Sequence, residues 1–278
     1  MLGALVIVFR EVIEAGLIVG IVLAATRGVT RRGWWVSAGI AAGVVGSCVV
    51  AIFAGAISNA FQGSGQELLN AAILLIAVGM LIWHNVWMAK HGRELAAQMQ
   101  AVGRGVAAGE RPLIALAIVV GLAVLREGSE VVLFLYGMAV STEARAIEIL
   151  GGGALGLLLA SAVSALGYFG LLVIPTRHLF RVTGVLIALL AAGMAAQAMA
   201  FLTAAGVIER LDTVLWDTSG WLPESSIVGR LLQTLLGYVD RPTELQLVAY
   251  GATLAVMVGL MLFVGARQNA QAAPRPAA

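Results

Sequence analysis

Residues 10–14 read R-E-V-I-E and residues 126–130 read R-E-G-S-E, and each copy of this R-E-x-x-E motif interrupts a long apolar stretch. A charged side chain at the centre of a bilayer costs roughly 2.5–3.5 kcal/mol on an insertion scale. Membrane proteins keep such groups where they face one another or a wet cavity, and such residues mark functional sites by default. The two copies therefore predict where the function of this chain resides.

The charged side chains of each motif fall on one part of a helix surface, because a helix turns about 100° per residue. They are Arg10, Glu11 and Glu14 in the first copy and Arg126, Glu127 and Glu130 in the second. The arginine and the second glutamate, at i and i+4, are placed to pair, which leaves the first glutamate less compensated. If the two helices pack together, the cluster has a formal charge of −2 and suits a hard cation with oxygen ligands. The alternative is a pair of buried Arg–Glu bridges that fixes helix packing.

The composition predicts a membrane protein. The chain has 278 residues, of which 60% are hydrophobic and 12% charged, and its mean hydropathy is +0.97. Charged residues make up about 25% of a typical soluble domain. The net charge of +2 gives no reason to expect a nucleic-acid partner. Cys48, the single cysteine, can form no intrachain disulfide and is interpreted as a packing residue.

Seven apolar stretches are each long enough to cross a bilayer, which takes roughly 20 residues. They lie at residues 2–26, 34–57, 68–89, 112–138, 149–174, 179–206 and 245–265. Eleven of the 17 Lys and Arg residues follow spans one, three, five and seven. Because basic residues are enriched on the cytoplasmic side of a membrane protein, this distribution predicts that the N-terminus is outside and the C-terminus is in the cytoplasm. The fold class predicted is an all-α integral membrane protein with seven transmembrane helices over residues 1–266. Residues 267–278, rich in Ala, Pro and Gln, are expected to form a disordered cytoplasmic tail.

An internal repeat is indicated by the positions of the motifs in the first and fourth spans. A Gly-Met pair recurs in the same way, at residues 79–80 in the third span and 193–194 in the sixth. We predict a three-span unit used twice, over about 2–89 and 112–206, with the last span added. Because each unit has an odd number of spans, the second unit has the opposite orientation in the membrane. Inverted repeats around a site near the bilayer midplane are a recurring transporter architecture.

His84 stands in the third span, within W-H-N-V-W-M at residues 83–88. It is either a soft-metal or proton-coupled ligand, or an interfacial histidine in an aromatic belt near the cytoplasmic end. Residues 90–111 follow as a basic connection, whose helical centre at 93–102 is expected to lie on lipid head groups.

The segment 207–243 is the longest outside connection and carries acidic residues, including Asp217, beside Trp216 and Trp221. Two interpretations are open: a cation vestibule or dock for a donor protein, or an aromatic-anchored loop in which residues 227–236 lie as an interfacial helix. In the second span, the spacing of Gly39 and Gly43 permits close backbone approach and favours tight helix packing.

Together these features resemble the iron permease family, whose members include fungal high-affinity permeases that partner a multicopper oxidase, and a bacterial branch. The resemblance covers residues 1 to about 265 and is carried by the paired motifs. Further support comes from W-H-N-V-W-M at 83–88, L-W-D-T-S at 215–219 and L-G-Y-V-D-R-P-T at 236–243. It implies import of iron across the cytoplasmic (inner) membrane, as ferric ion handed over by a separate periplasmic oxidase or donor protein.

The resemblance also implies residue roles. The iron ligands would be Glu11, Glu14, Glu127 and Glu130, and Arg10 and Arg126 would set their charge and orientation. His84 and Asp217 are further candidates along the pathway. The acidic D-x-x-E-type extracellular motif of the fungal members is not found in this sequence. Iron would be the cargo, and no permanently bound cofactor is expected.

Two other functions remain open. One is transport of ferrous iron or another divalent cation such as manganese, because oxygen ligands accept several ions. The other is a seven-helix receptor or sensor in which the charged cluster is a structural lock. An enzyme is not expected, because the sequence contains neither G-x-S-x-G nor H-E-x-x-H.

Overall fold

The computed structural model describes residues 1–60, 65–142, 145–170 and 176–272, and most of the residues in these ranges are helical. The helices are α1 (Leu2–Ala25), α2 (Arg32–Ala60), α3 (Gln66–Ala107), α4 (Ile114–Thr142), α5 (Ala146–Tyr168), α6 (Thr176–Ala204), α7 (Ile227–Leu236) and α8 (Glu244–Ala272). The described residues form no sheet, and their one extended pairing is an antiparallel bridge between Val214 and Thr243. The predicted all-α class is confirmed.

Among the described residues, five helices are long and apolar enough to cross a bilayer. They are the segments Arg32–Ala56, Gln66–Met88, Ala146–Tyr168, Val182–Ala204 and Glu244–Val264 of α2, α3, α5, α6 and α8. α1 and α4, with 24 and 29 residues, are as long but carry the motif charges in their middles. At 1.5 Å per residue they extend about 36 and 44 Å, enough for a hydrocarbon core of about 30 Å. Seven spans and the N-out orientation remain predictions.

Helix pairing brings the two motif helices together at the centre. α2 packs most extensively on α4, α1 on α5 and α3 on α6, and α1 and α4 also contact each other. Exchanging α1, α2 and α3 with α4, α5 and α6 leaves this set of pairs unchanged. The pairing is what the predicted repeat requires, although the repeat itself stays a prediction.

Close approach of the paired helices depends on glycines. A Cβ atom added at Gly39 of α2 would lie 2.6 Å from the carbonyl oxygen of Ala117 on α4. One added at Gly156 of α5 would lie 2.6 Å from the carbonyl oxygen of Leu5 on α1. Both distances are shorter than atomic contact allows, so only glycine fits at this helix separation. The tight packing predicted from the glycine spacing is confirmed. Cys48, expected to pack, is instead exposed on α2.

The main apolar core lies between α1, α3, α4, α6 and α8. Its fully buried members include Ile7, Leu81, Phe134, Met194 and Met257. The two helices that carry the motifs, α1 and α4, both contribute side chains to this core.

α3 differs from its prediction, because it continues unbroken through Ala107 and is 42 residues long. Its last turns contribute to apolar packing against other helices. Val106 is buried in a second apolar cluster with Val22 of α1, Val36 of α2 and Leu116 of α4. The basic residues of this segment do not interrupt the helix backbone.

The connection between α6 and α8 contains the predicted short helix, α7, over the predicted residues. Ser226 caps it by accepting a hydrogen bond from the Gly229 amide at 2.9 Å. Gly237 ends it with φ +70°, and a Cβ added at Gly193 of α6 would lie 2.5 Å from the Gly237 Cα. At the other end of the chain, α8 continues to Ala272, into the segment predicted as a disordered tail. Residues 273–278 of that tail lie outside the described residues.

Candidate metal centre

Three helices supply the side chains of one buried cluster. α1 presents Arg10, Glu11 and Glu14, α4 presents Arg126, Glu127 and Glu130, and α3 adds His84. The two motifs, separated in the sequence, therefore converge as their shared pattern predicts. The interfacial position considered for His84 is not the one observed, because the side chain is 2% exposed inside the cluster.

Four of these side chains can present one ligand atom each to a common point. Glu11, His84, Glu127 and Glu130 offer atoms that all lie within 4.8 Å of one another. Nitrogen and oxygen ligands stand roughly 2.0–2.6 Å from a metal ion. Atoms on opposite sides of an ion are therefore separated by up to about 5 Å. The spacing thus fits a single ion held by three carboxylates and an imidazole.

His84 joins the two motifs. Its Nε2 atom lies 3.3 Å from Glu14 Oε2 and 3.6 Å from Glu11 Oε2, both on α1. Its Nδ1 atom contacts Glu130 Oε2 on α4. Both ring nitrogens therefore face carboxylates, and the imidazole links the motif of α1 to that of α4.

The arginines pair within their own helices as the i, i+4 spacing predicts. Arg10 Nε lies 3.1 Å from Glu14 Oε1, and Arg126 Nε lies 3.2 Å from Glu130 Oε1. The first glutamate of each motif is held more loosely. Arg10 Nη1 is 3.6 Å from Glu11 Oε1 and Arg126 Nε is 3.9 Å from Glu127 Oε1. Glu11 and Glu127 therefore retain the most capacity to bind a cation.

Several buried oxygens of the cluster lack hydrogen bonds. Within the described part of the chain, both carboxylate oxygens of Glu11 and of Glu127 accept none, and Glu14 Oε2 and Glu130 Oε2 face only the His84 ring. Buried polar atoms without hydrogen bonds are rare in folded proteins and need a functional reason. A bound cation is the simplest one, because it would satisfy several of these oxygens at once.

The two arginines are not equivalent. The Arg10 side chain is 4% exposed and that of Arg126 is 34% exposed. Arg126 lies over the ring of Trp87, and Trp87 in turn stacks on His91, with ring centroids 5.1 Å apart. The cluster is therefore closed on the Arg10 side and more open beside Trp87.

A cavity of about 710 Å³ adjoins the cluster between α1, α2, α4 and α5. Glu11 and Glu127 line it, whereas Glu14, Glu130 and His84 do not. Most of its other lining residues are aliphatic or aromatic, among them Val44, Leu157 and Phe169. The first glutamate of each motif therefore faces both the ligand cluster and this apolar space.

Asp217, predicted as a pathway residue, is not part of the four-ligand cluster. It lies in the exposed connection between α6 and α7, where its carboxylate pairs with Arg241 Nε at 3.1 Å. The Ser219 amide and hydroxyl donate to the same carboxylate at 2.9 and 2.6 Å. These Ser219 hydrogen bonds, followed by Arg241, lower the pKa of Asp217 to about 2. The contacts give Asp217 a role in ordering the outer connection.

The sequence predicted no role for Trp87, and it left open whether His84 is a metal ligand. A signal was present for His84, because an ionisable residue in an apolar stretch is a functional candidate by default. Trp87 gave no comparable signal, because aromatic residues are common near both ends of membrane helices.

A buried carboxylate cluster on two facing helices of a membrane protein is typical of ion pathways. The sequence profile described as "Iron permease FTR1 family" matches residues 1–272. The chain belongs to this family, and it is accordingly a membrane transporter and not an enzyme.

Individual relatives of the chain also have names that describe iron permeases. The chain is 30% identical over 248 residues to "Ferrous iron permease EfeU" of Yersinia pestis. The alignment covers 88% of this chain and 87% of the relative. It is 32% identical over 242 residues to the protein of the same name from Escherichia coli O6:H1, covering 85% of this chain and 86% of the relative. No solved structure matches the chain.

Proposed function

We propose that the protein imports iron across the cytoplasmic membrane and that the ion passes through the cluster of Glu11, His84, Glu127 and Glu130. The observation that carries this proposal is the convergence of four ligand atoms within 4.8 Å, buried between helices and short of hydrogen bonds. Membership of the iron permease family supports iron as the cargo. Glu14 and the two arginines then orient the ligands and balance their charge.

Charge favours the ferrous ion as the species carried. Four glutamates and two arginines give the cluster a formal charge of −2, and imidazole binds metals as the neutral ring. A divalent ion makes the occupied site neutral, whereas a trivalent ion leaves a positive charge in a poorly solvated region, which is costly. The printed names of the relatives, ferrous iron permeases, point the same way.

Ferric ion delivered by a partner oxidase or donor protein is the second candidate. The observation in its favour is that three of the four ligand atoms are carboxylate oxygens, which suit a hard, highly charged cation. In that case the outer connection, with Trp216 and Trp221 exposed, is the surface on which a donor would dock.

Radiolabelled iron uptake into proteoliposomes tests the proposal. Ferrous iron under reductant and a ferric chelate are supplied separately, with manganese as a competing ion. Glu11→Gln and Glu127→Gln are each expected to reduce iron uptake by at least about tenfold, because each removes one ligand charge. Glu110→Gln, an exposed acid between α3 and α4, is the matched control and keeps wild-type uptake.

The outcomes separate the alternatives. Faster uptake from the ferrous supply supports the divalent ion, and uptake only from the ferric form overturns that choice. If wild-type protein moves no iron in either form while both Gln variants unfold, the cluster is a structural lock, as in the receptor interpretation. If it carries manganese and not iron, the cargo assignment is wrong.

A further inference from the structure

The two halves of the chain make the same glycine contacts. Where α2 packs on α4, and where α5 packs on α1, two glycines spaced four residues apart lie against two carbonyl oxygens with the same spacing. The glycines and the residues whose oxygens they face are Gly39 with Ala117, Gly43 with Gly121, Gly152 with Met1, and Gly156 with Leu5. The contacts on α1 and α4 are related by the same offset in sequence as the two R-E-x-x-E motifs. The register of the packed helices therefore agrees with the predicted repeat.

The two motifs run in opposite directions along the bundle, because α1 and α4 are antiparallel. A Cβ added at Gly3, near the start of α1, would lie 2.8 Å from Met138 Sδ, near the end of α4. Val22, near the end of α1, shares an apolar cluster with Leu116, near the start of α4. In antiparallel helices the order R-E-x-x-E is reversed from one helix to the other. The two arginines therefore lie at opposite ends of the ligand cluster, each nearer to one side of the membrane.

Equivalent side chains of the two motif helices differ in exposure. The Arg10 side chain is 4% exposed, whereas that of Arg126 is 34% exposed. Ile7 of α1 is 0% exposed, whereas Ala123, at the equivalent position of α4, is partly exposed. Each of these two residues lies one turn from the first glutamate of its motif, on the same helix face. The cluster is thus closed at the Arg10 end and open at the Arg126 end.

We propose that the ion site has two gates at its opposite ends, one formed by Arg126 with Trp87 and the other by Arg10 with Phe201. The first gate is open in this structure and the second is closed. In inverted-repeat transporters, motion of one unit against the other exposes a central site to each side of the membrane in turn. Exchanging the two arrangements between the repeats would close the cluster at Arg126 and open it at Arg10.

Phe201 is assigned by its place in the repeat. The Gly-Met pairs at residues 79–80 and 193–194 align α3 with α6, and this alignment puts Phe201 at the position of Trp87. Trp87 lies against Arg126 of α4. Helix α6 in turn contacts α1, and Phe201 packs on the main apolar core, to which α1 contributes. Phe201 is therefore a positioning residue that covers the Arg10 end of the site.

This inference rests on the proposed function, because gates matter only if the cluster conducts an ion. Its test is independent of that function, because the accessibility of each end to a water-soluble reagent can be measured without any transport.

Two cysteine reporters test the gates. Ile7→Cys and Ala123→Cys are made separately in full chains that carry Cys48→Ala. Each is treated with a membrane-impermeant methanethiosulfonate in right-side-out and in inverted vesicles, and modification is followed by mass spectrometry. Ala123→Cys should react only from the side of Arg126. Ile7→Cys should react from the opposite side and at least about tenfold more slowly, because a minor conformation is populated to about 10% or less.

Removing either aromatic ring should act at one end only. Phe201→Ala is expected to speed modification of Ile7→Cys about tenfold and to leave Ala123→Cys unchanged, because it favours the state that is open at Arg10. Trp87→Ala should instead speed modification of Ala123→Cys. Trp83→Ala is the matched control on α3, because that side chain is 72% exposed, and it should leave both rates unchanged.

The comparison of the two reporters decides the inference even if a ring variant fails to fold. Modification of both reporters from the same side would overturn it, as would the absence of any reaction at Ile7→Cys. Same-sided modification in a protein that takes up iron would reject the gates and leave the proposed function standing. Opposite-sided modification in a protein that moves no iron would uphold the gates and reject the proposed function.

Discussion

Arg126 lies over the face of Trp87, with its guanidinium carbon 4.2 Å from the ring centroid. The contact joins α4 to α3 next to the ligand cluster, and it leaves about a third of the arginine side chain exposed, at 34%. Arg10 occupies the same place in the other motif and is 4% exposed. Two arginines that are indistinguishable by motif thus have different surroundings.

This difference predicts unequal stability losses. Arg10→Gln removes the partner of buried carboxylates and is expected to destabilise the fold by about 3–5 kcal/mol, as breaking a buried ion pair does. Arg126→Gln should cost about 1–2 kcal/mol, because water reaches the site and screens the remaining charges. Thermal unfolding midpoints of the purified variants in one neutral detergent provide the comparison. Equal losses would contradict the structural difference.

His84 is predicted to be required for ion affinity. His84→Gln removes the imidazole that contacts Glu14 and Glu130, and it should weaken ferrous ion binding by about 10- to 100-fold. Anaerobic titration calorimetry on purified protein measures this. His91→Gln, on the same helix but outside the ligand set, is the matched control and keeps the affinity. Unchanged binding in His84→Gln would remove His84 from the ligand set.

The glycine contacts predict a sharp positional effect on α2. Gly39→Ala places a methyl group 2.6 Å from the Ala117 carbonyl oxygen, so the two helices must separate. A loss of about 1–3 kcal/mol is expected from this overpacking. Gly55→Ala, on the same helix with nothing within 4 Å of the added Cβ, should be neutral or slightly stabilising. Thermal midpoints that fall equally in both variants would show that helix contact is not the cause.

The outer connection should respond to acid in a defined window. The pKa of Asp217 is lowered to about 2 from an unfolded value of 3.8. Its ionised contacts with Ser219 and Arg241 are therefore fully present above pH 4 and are lost as the pH falls through about 2. Tryptophan fluorescence of the wild type minus that of Asp217→Asn should be constant from pH 5 to 8 and change only below pH 4. A change near neutral pH would contradict this assignment.

Sequence alone was sufficient to place the motif side chains, because two strong constraints act on the same residues. A charge in an apolar stretch must find a partner, and the i, i+4 spacing fixes which partner lies on the same helix. The pairings of Arg10 with Glu14 and of Arg126 with Glu130 follow directly. α7 was equally accessible, because its apolar residues lie between a capping serine and a terminating glycine.

Other features depend on tertiary packing and could not be read from local pattern. His84 is compatible with a membrane interface or with the interior, and only the packing of α3 against α1 and α4 decides between them. The continuation of α3 past its apolar part depends on Val106 finding a second cluster of apolar side chains. Cys48 was expected inside because its neighbours are apolar, but in a membrane the apolar side of a helix can equally face lipid.

Helix α3 is unbroken, and the proposed ion ligand His84 lies near its middle. A tilt of the whole helix about His84 therefore displaces both of its ends. From His84 to Gly103 the helix rises about 28 Å at 1.5 Å per residue. A tilt of α3 by about 10° about His84 would therefore displace Gly103 by about 5 Å. A Cβ added at Gly103 would lie only 2.6 Å from the Ala25 Cβ, so that far end has no room to move towards α1. A tilt of Gly103 towards α1 would therefore have to carry the end of α1 with it.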